Sequence, residues 1–212
     1  HLLQYAFMGS VYSRHVLHYK NPTVGLVSLG DEDVKGTELT KEVFKMLRPS
    51  SLNFVGNIEG RHLFEDPVEV VVCDGFVGNV ILKTCESIAV AMFQWLKHEL
   101  MRTRMRKVGA FLAKNAIGTI KDKTNYEEYG GSPLLGVNGI CIIAHGASTP
   151  LAIKNALRVA AESIEQQVNP HIVEEIRRYH ETTAPLEAAL SYLYWGLGLA
   201  LAALEGAGPV TE

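Results

Sequence analysis

An α/β fold on a mostly parallel sheet is what this sequence predicts, and three observations predict it. Strand-like and helix-like signals alternate along the chain, as they do where crossover helices join parallel strands. The run "VEVVVC", from residue 68, is nearly continuous in β-branched residues, which suits a central strand covered on both faces. Finally, an apolar strand followed by a glycine-containing turn and a helix recurs three times. At 212 residues, 47% hydrophobic and 20% charged, the chain can bury one full core.

The elements follow in order. Residues 2 to 17 place Leu3, Phe7 and Val11, with Met8, Tyr12 and Val16, at helical spacing. "TVGLVSLG" reads as a strand ending at Gly30. "GTELTKEVFKML" follows as a helix, with Thr37 and Thr40 near its start and Val43, Phe44 and Leu47 on one face. "SLNFVG" is a second strand and "VEVVVCDG" a third. A long helix is expected from Gly78, with Ile81, Cys85, Ile88, Ala89, Met92, Phe93 and Leu96 as its core-facing stripe. "GICIIAHG" is the fourth strand. The helix after it carries a stripe of Ile153, Ala156, Leu157, Ala160, Ala161, Ile164 and Val168.

Composition excludes some functions. A formal charge of -3 removes any general electrostatic case for nucleic-acid binding. The three cysteines, Cys73, Cys85 and Cys141, have no Cys-x-x-Cys spacing, so a reduced, cytoplasmic compartment is expected. No metal-ligand spacing, nucleophile elbow or Gly-x-Gly-x-x-Gly fingerprint is present, and neither a metal nor a cofactor is expected. Nothing resembles a secretion signal, and the opening at His1, already inside a helical pattern, suggests an internal start.

The three turns are "GDEDVKG" (30 to 36), "DGFVGN" (74 to 79) and "HGAS" (145 to 148). In a parallel sheet they all fall at the carboxyl edge of the strands, where ligands bind. Glycine lets the backbone approach a ligand, and the following helix offers unpaired N–H groups at its positive end. The expected ligand is an anion, phosphate above all. Each polar residue also has a plainer explanation. Lys35 is either a solvated lysine or a mobile charge for a phosphate oxygen. Asn79 serves as the N-cap of its helix or donates to an oxyanion. Asp74 is a turn former at a strand end, and His145 is a structural or a catalytic histidine.

The blocks "HLLQYAFMGSVYSRHVL", "NPTVGLVSLGDEDVKGTELTKE", "NFVGNIEGR", "VEVVVCDGFVGNVILKTCES" and "YEEYGGSPLLGVNGICIIAHGAS" resemble, in order, the bacterial phosphate acyltransferases of phospholipid synthesis. The resemblance covers about residues 1 to 178. It implies a three-layer α/β/α fold like that of the isocitrate and isopropylmalate dehydrogenases and of phosphate acetyltransferase. It further implies a homodimer that transfers a fatty acyl group from acyl carrier protein to inorganic phosphate. Lys35 and Asn79 match positions expected in the family's active site, and His145 matches the histidine that ends the family's last glycine-rich strand. Gly30, Gly36, Asp74, Gly75, Gly78, Gly146 and Ser148 are the candidates for holding phosphate and substrate on the three turns.

The resemblance is to the second half of the family only. A Gly-Gly-Asp-His motif and a Gly-Asn-Thr-Gly turn, which contribute to the family's site, are not found. The tail over 179–212 matches nothing in the family, and its stretch from Ala188 to Leu204 is uncharged. That span is at the lower limit of the roughly 17 to 25 residues that cross a bilayer, and Gly196 and Gly198 favour a buried or dimer-packing helix.

Chemically, phosphate is itself the nucleophile toward a thioester, so the protein must orient the anion, stabilise the oxyanion and help the thiolate leave. Lys35 and the backbone from Gly30 to Gly36 are expected to hold phosphate, and Asn79 to polarise the carbonyl. His145 is expected to orient phosphate or protonate the sulfur. Residues 96 to 114, within a basic helical hairpin expected over about 96–125, concentrate Arg102, Arg104, Arg106, Lys107 and Lys114 among Met101, Met105, Val108 and Phe111. This is a solvated hairpin, a dock for the acidic carrier protein, or a peripheral membrane contact at the inner face. The resemblance implies the last two. A short-chain phosphate acyltransferase and a non-catalytic binding fragment are the alternative functions.

Overall fold

The computed structural model describes residues 1–65, 68–123, 131–146 and 148–183. The chain divides into two units, His1–Asn169 and Pro170–Glu212. The second is helical through its described part, to 183, and carries Arg177 and Arg178 paired with Glu174 on its surface. The expected tail lies outside the described residues beyond 183.

The first unit is α/β. Helix α1 (Leu2–His15) leads into strand β1 (Thr23–Val27), helix α2 (Glu38–Leu47) and strand β2 (Asn53–Ile58). A single 3-10 turn (Gly60–Leu63) then precedes strand β3 (Val70–Val72). The three strands form a parallel sheet in the order β2-β1-β3. Val24 and Leu26 of β1, Val70 and Val72 of β3, Leu2 and Ala6 of α1, and Val43, Phe44 and Leu47 of α2 form one core. Each fully buried aliphatic side chain there contributes roughly 1.5–3 kcal/mol. Phe44 meets Phe54 edge to face, with ring centroids 5.4 Å apart.

Two glycines set this packing. A Cβ on Gly9 would lie 2.7 Å from Val70 Cγ1, so α1 approaches β3 more closely than a side chain permits. Between Val24 and Gly25 the register with β2 shifts, leaving Val55 unopposed, and Gly56 absorbs the bulge at φ +107.

After β3 come helices α3 (Gly75–Met101), α4 (Arg104–Leu112) and α5 (Lys114–Lys123), then strands β4 (Ser132–Pro133) and β5 (Ile142–Ile143), and helix α6 (Pro150–Glu165). Several expectations are corrected here. β3 is an edge strand of its sheet and Val71 is 36% exposed, because only one face carries the core. The fourth strand, β5, does not extend the parallel sheet but pairs antiparallel with β4. Gly131, Gly136 and Gly139, all at positive φ, shape the chain around that pair, and a Cβ on Gly131 would strike Ile143 O at 2.6 Å.

The long helix begins at Gly75 rather than Gly78, and its supposed core stripe has no buried residue. It packs against α4, while Ile88, Val90, Met92 and Trp95 stand exposed. On α6 the buried row is Ala152, Ala156, Val159 and Ser163, and the expected Ile153, Leu157 and Ile164 are exposed. The helix carries two apolar rows, and contact with the rest of the fold selects the one with smaller side chains.

Candidate functional site

Chain progression reverses at β1: β2 lies on one side of it and β3 on the other. That reversal is a topological switch point, the place where open α/β sheets bind ligands outside the strand carboxyl ends. The register puts Val27 opposite Ile58 and Leu26 opposite Val72, so all three strands end at one edge. Ser28 N adds one bond to Ile58 O at 2.9 Å beyond the last paired residues.

The loop from Ser28 to Thr37 is folded on itself. Ser28 Oγ donates to Lys35 O at 3.1 Å, and Lys35 N donates to Glu32 O at 3.0 Å. Gly36 is at φ +117, and a Cβ there would collide with Thr40 Oγ1 and come within 2.7 Å of Ser28 Oγ. Only glycine turns this corner.

Lys35 stands on this loop with its Nζ 2.9 Å from Glu32 Oε1. The hydrogen bond to Glu32, and then the charges of Glu32, Glu59 and Asp31, raise the ammonium above its ordinary value, while the same hydrogen bond holds Glu32 below the usual carboxylate range. Lys35 is therefore a fixed cation near neutral pH, ready for an anion but engaged by a carboxylate. Both side chains are about half exposed, so the pair exchanges readily.

The carboxyl end of β2 adds residues that sequence reasoning missed. Asn57, 7% exposed, donates from Nδ2 to Glu32 O at 2.9 Å. Its Oδ1 is buried and has no hydrogen-bond partner among the described residues. Arg61 Nη2 lies 2.6 Å from Asp31 Oδ2, and its Nε is 3.5 Å from Glu59 Oε2. His62 Nδ1 accepts from Glu59 N at 3.0 Å. The signal was available in "NFVGNIEGR": a short strand followed by a glycine turn ends at the same sheet edge as the other two.

At the end of β3, Asp74 caps α3, its Oδ1 accepting from Phe76 N and Val77 N at 2.9 Å each. Thr37 caps α2 in the same way, accepting from Thr40 N at 3.2 Å. Two corrections follow. Asn79 is not the N-cap but an exposed residue inside the first turns of α3. At both helices, side chains already take part of the N–H set expected to bind an anion. Cys73, beside Asp74, is half-buried, and burial and then the Asp74 charge push its thiol up, which disfavours the thiolate.

Gly30, Lys35 and Gly36 thus share an edge with Asp74, Gly75 and Gly78, whose strand neighbours theirs. His145, Gly146 and Ser148 follow β5, in the separate two-stranded sheet, where Ser148 N donates to His145 O at 2.9 Å. Thr149 then caps α6 ahead of Pro150. Among the basic residues, Arg102 and Arg106 both pair with Glu99. Arg104 and Lys107 have no ion-pair partner among the described residues, and Lys114 lies 5.1 Å over the exposed Phe111 ring. Groups of three or more His, Cys, Asp or Glu fit to hold a metal are absent among the described residues.

Comparison with known proteins adds an independent finding. The family described as "Fatty acid synthesis protein" matches residues 1–171. A phosphate acyltransferase of Desulfitobacterium hafniense is 49% identical over 180 residues, covering 84% of this chain and 54% of its own length. That of Pelotomaculum thermopropionicum is 49% identical over 177 residues, covering 84% and 51%. A third, from Campylobacter jejuni subsp. doylei, is 46% identical over 179 residues, covering 84% and 54%. The chain therefore spans about half the length of the curated relatives it matches.

Proposed function

We propose that this chain, which belongs to the fatty acid synthesis protein family, carries part of a phosphate acyltransferase site, moving a long-chain fatty acyl group from acyl carrier protein to inorganic phosphate. The observation that carries the reading is Lys35, held protonated on a glycine-bounded loop at the switch point of the sheet, in a chain whose relatives are named phosphate acyltransferases. In the reaction a phosphate oxygen attacks the thioester carbon, a tetrahedral oxyanion forms, and the C–S bond breaks to give acyl phosphate and the carrier thiol. Lys35 and the backbone from Gly30 to Gly36 orient the anion, and Asn79 donates its amide to the oxyanion. His145 orients phosphate or protonates the departing sulfur. The lower half of the site, in this reading, comes from the part of the relatives' length that this chain does not span.

In this proposal the enzyme works as a homodimer at the cytoplasmic face of a membrane. Helix α3 is, by length and composition, long and apolar enough to cross a membrane, yet its Lys83–Glu86 pair and the basic α4 after it suit a peripheral or subunit contact better. Long-chain acyl carrier protein thioester and phosphate, followed for free thiol and acyl phosphate, test the reading. Turnover is expected in a full-length context that supplies the rest of the site, and Asn79→Ala is expected to lower it there about 100- to 1000-fold. Absence of turnover would favour a second reading, a non-catalytic carrier-protein or membrane-binding module, to which the exposed apolar surface of α3 and α4 points.

A further inference from the structure

We propose that Arg61 is a second anion-binding residue of this site, taking the same phosphate as Lys35, and that Asp31 is its resident competitor, occupying the guanidinium until phosphate displaces it. The inference rests on the phosphate acyltransferase reading above and names residues that reading leaves out. It is carried by where Arg61 sits. The register of β1 with β2 brings the turn after β2 against the Lys35 loop. The charges of Asp31 and Glu59, the two carboxylates that hold Arg61, also act on the Lys35 ammonium, so both cations belong to one electrostatic cluster.

The cluster is built to exchange partners. Arg61 is 53% exposed and Asp31 46%, so their ion pair is solvated and weak, and a dianion that meets both Arg61 and Lys35 can replace it. Guanidinium presents a planar fork that fits two phosphate oxygens, whereas ammonium is a point charge. Among the described residues, the Nη1 group of Arg61 makes no hydrogen bond, which leaves part of that fork available.

A second observation points to a ligand. Asn57 is 7% exposed and ties the Lys35 loop through Glu32 O, while its buried Oδ1 has no partner among the described residues. Buried acceptors are nearly always paired. In this proposal hydrogen phosphate offers that acceptor a donor in its P–OH, while its remaining oxygens accept from the two cations. Asn57 thus joins the loop that carries Lys35 to the turn that carries Arg61.

The test is binding of inorganic phosphate to the intact chain, measured by titration calorimetry and by phosphate-dependent thermal shift, with no acyl donor present. Arg61→Ala should weaken phosphate about tenfold to a hundredfold, the loss of charged hydrogen bonds, and Arg61→Lys should restore part of it. Asp31→Asn should tighten phosphate severalfold, because it removes the competitor. Arg158→Ala, a remote surface cation, should change nothing. Opposite signs for Arg61→Ala and Asp31→Asn are the signature that a merely structural ion pair would not give, since both would then weaken binding together through a loosened loop. The inference is overturned if the intact chain binds no phosphate, if Arg61→Ala binds it as tightly as the parent, or if the two variants shift in the same direction. Should phosphate binding depend on Arg61 while acyl carrier protein thioester yields no acyl phosphate, the functional reading fails and this one stands.

Discussion

Glu69 shows how one exposed side chain can tie two strands together at their starts. Its carboxylate accepts from Thr23 N at 2.8 Å and from the Thr23 hydroxyl, while its own N–H donates to Thr23 Oγ1 at 3.2 Å. These bonds, the hydroxyl first and the Thr23 N–H second, hold the carboxyl below its ordinary value of 4.5. A depressed folded-state value means that the folded chain prefers the ionised form. The stabilisation is therefore complete above pH 4.5 and disappears as the pH falls through the lower folded value. Glu69→Gln is expected to lower the urea midpoint at pH 7 and to differ less and less from the parent as the pH is taken below 4. A gap that persists at pH 3 would show that the contact does not depend on charge. Because the group is exposed, the effect is small and belongs to the junction of β1 with β3 rather than to the whole core. The same chemistry, a carboxylate fixing a neighbour, recurs at Glu32 and Lys35.

Elements are where the sequence is most legible and where it also misleads. The spacing of Val43, Phe44 and Leu47 predicts the buried face of α2, and that face is buried, because its only apolar row meets the sheet. The β-branched run of β3 predicts cover on both faces, but edge or centre is decided by which strands pair, a non-local fact absent from periodicity. Pairing likewise separates β5 from the parallel sheet, and it is why His145 is the site residue whose placement was least legible. Gly78 invites a helix start at Asn79, whereas Asp74 supplies the stronger cap by accepting two N–H groups. Asp74→Ala should accordingly lower stability by about 0.5–2 kcal/mol in denaturant unfolding. Asp74→Asn should recover most of that loss, since an Asn oxygen caps as well. Equal losses for both variants would mean that the charge beside the α3 N-terminus, not the cap geometry, is what matters. The Lys35 loop was legible through its glycines, while Asn57 and Arg61 belong to a further strand and glycine turn whose pattern was in the sequence but whose place beside that loop is given by strand register.

For the molecule as a whole, the proposed function asks how a chain of net charge -3 would recruit an acidic carrier protein. Global charge works against the encounter, so attraction must come from a local basic patch whose reach is limited to about 10 Å at 0.1 M salt. The end of α3 and helix α4 carry the candidate patch, and its residues are not equivalent. Arg102 and Arg106 already neutralise part of Glu99, whereas Arg104 and Lys107 have no ion-pair partner among the described residues. Met105, Val108 and Phe111 beside them are exposed at 82%, 56% and 67%, giving apolar contact area next to unspent charge. That combination suits a partner helix that is acidic on one side and apolar on the other, with charge governing the rate of encounter and apolar burial the lifetime. Reversal of Arg104 and Lys107 to Glu should therefore abolish capture of acyl carrier protein at low salt, and reversal of Arg102 and Arg106 should weaken it less. Phe111→Ala should shorten the complex lifetime while leaving its salt dependence unchanged. If raising the salt leaves capture by the parent chain unaltered, the basic helix is a solvated surface, and carrier docking has to be sought on the exposed face of α3 instead.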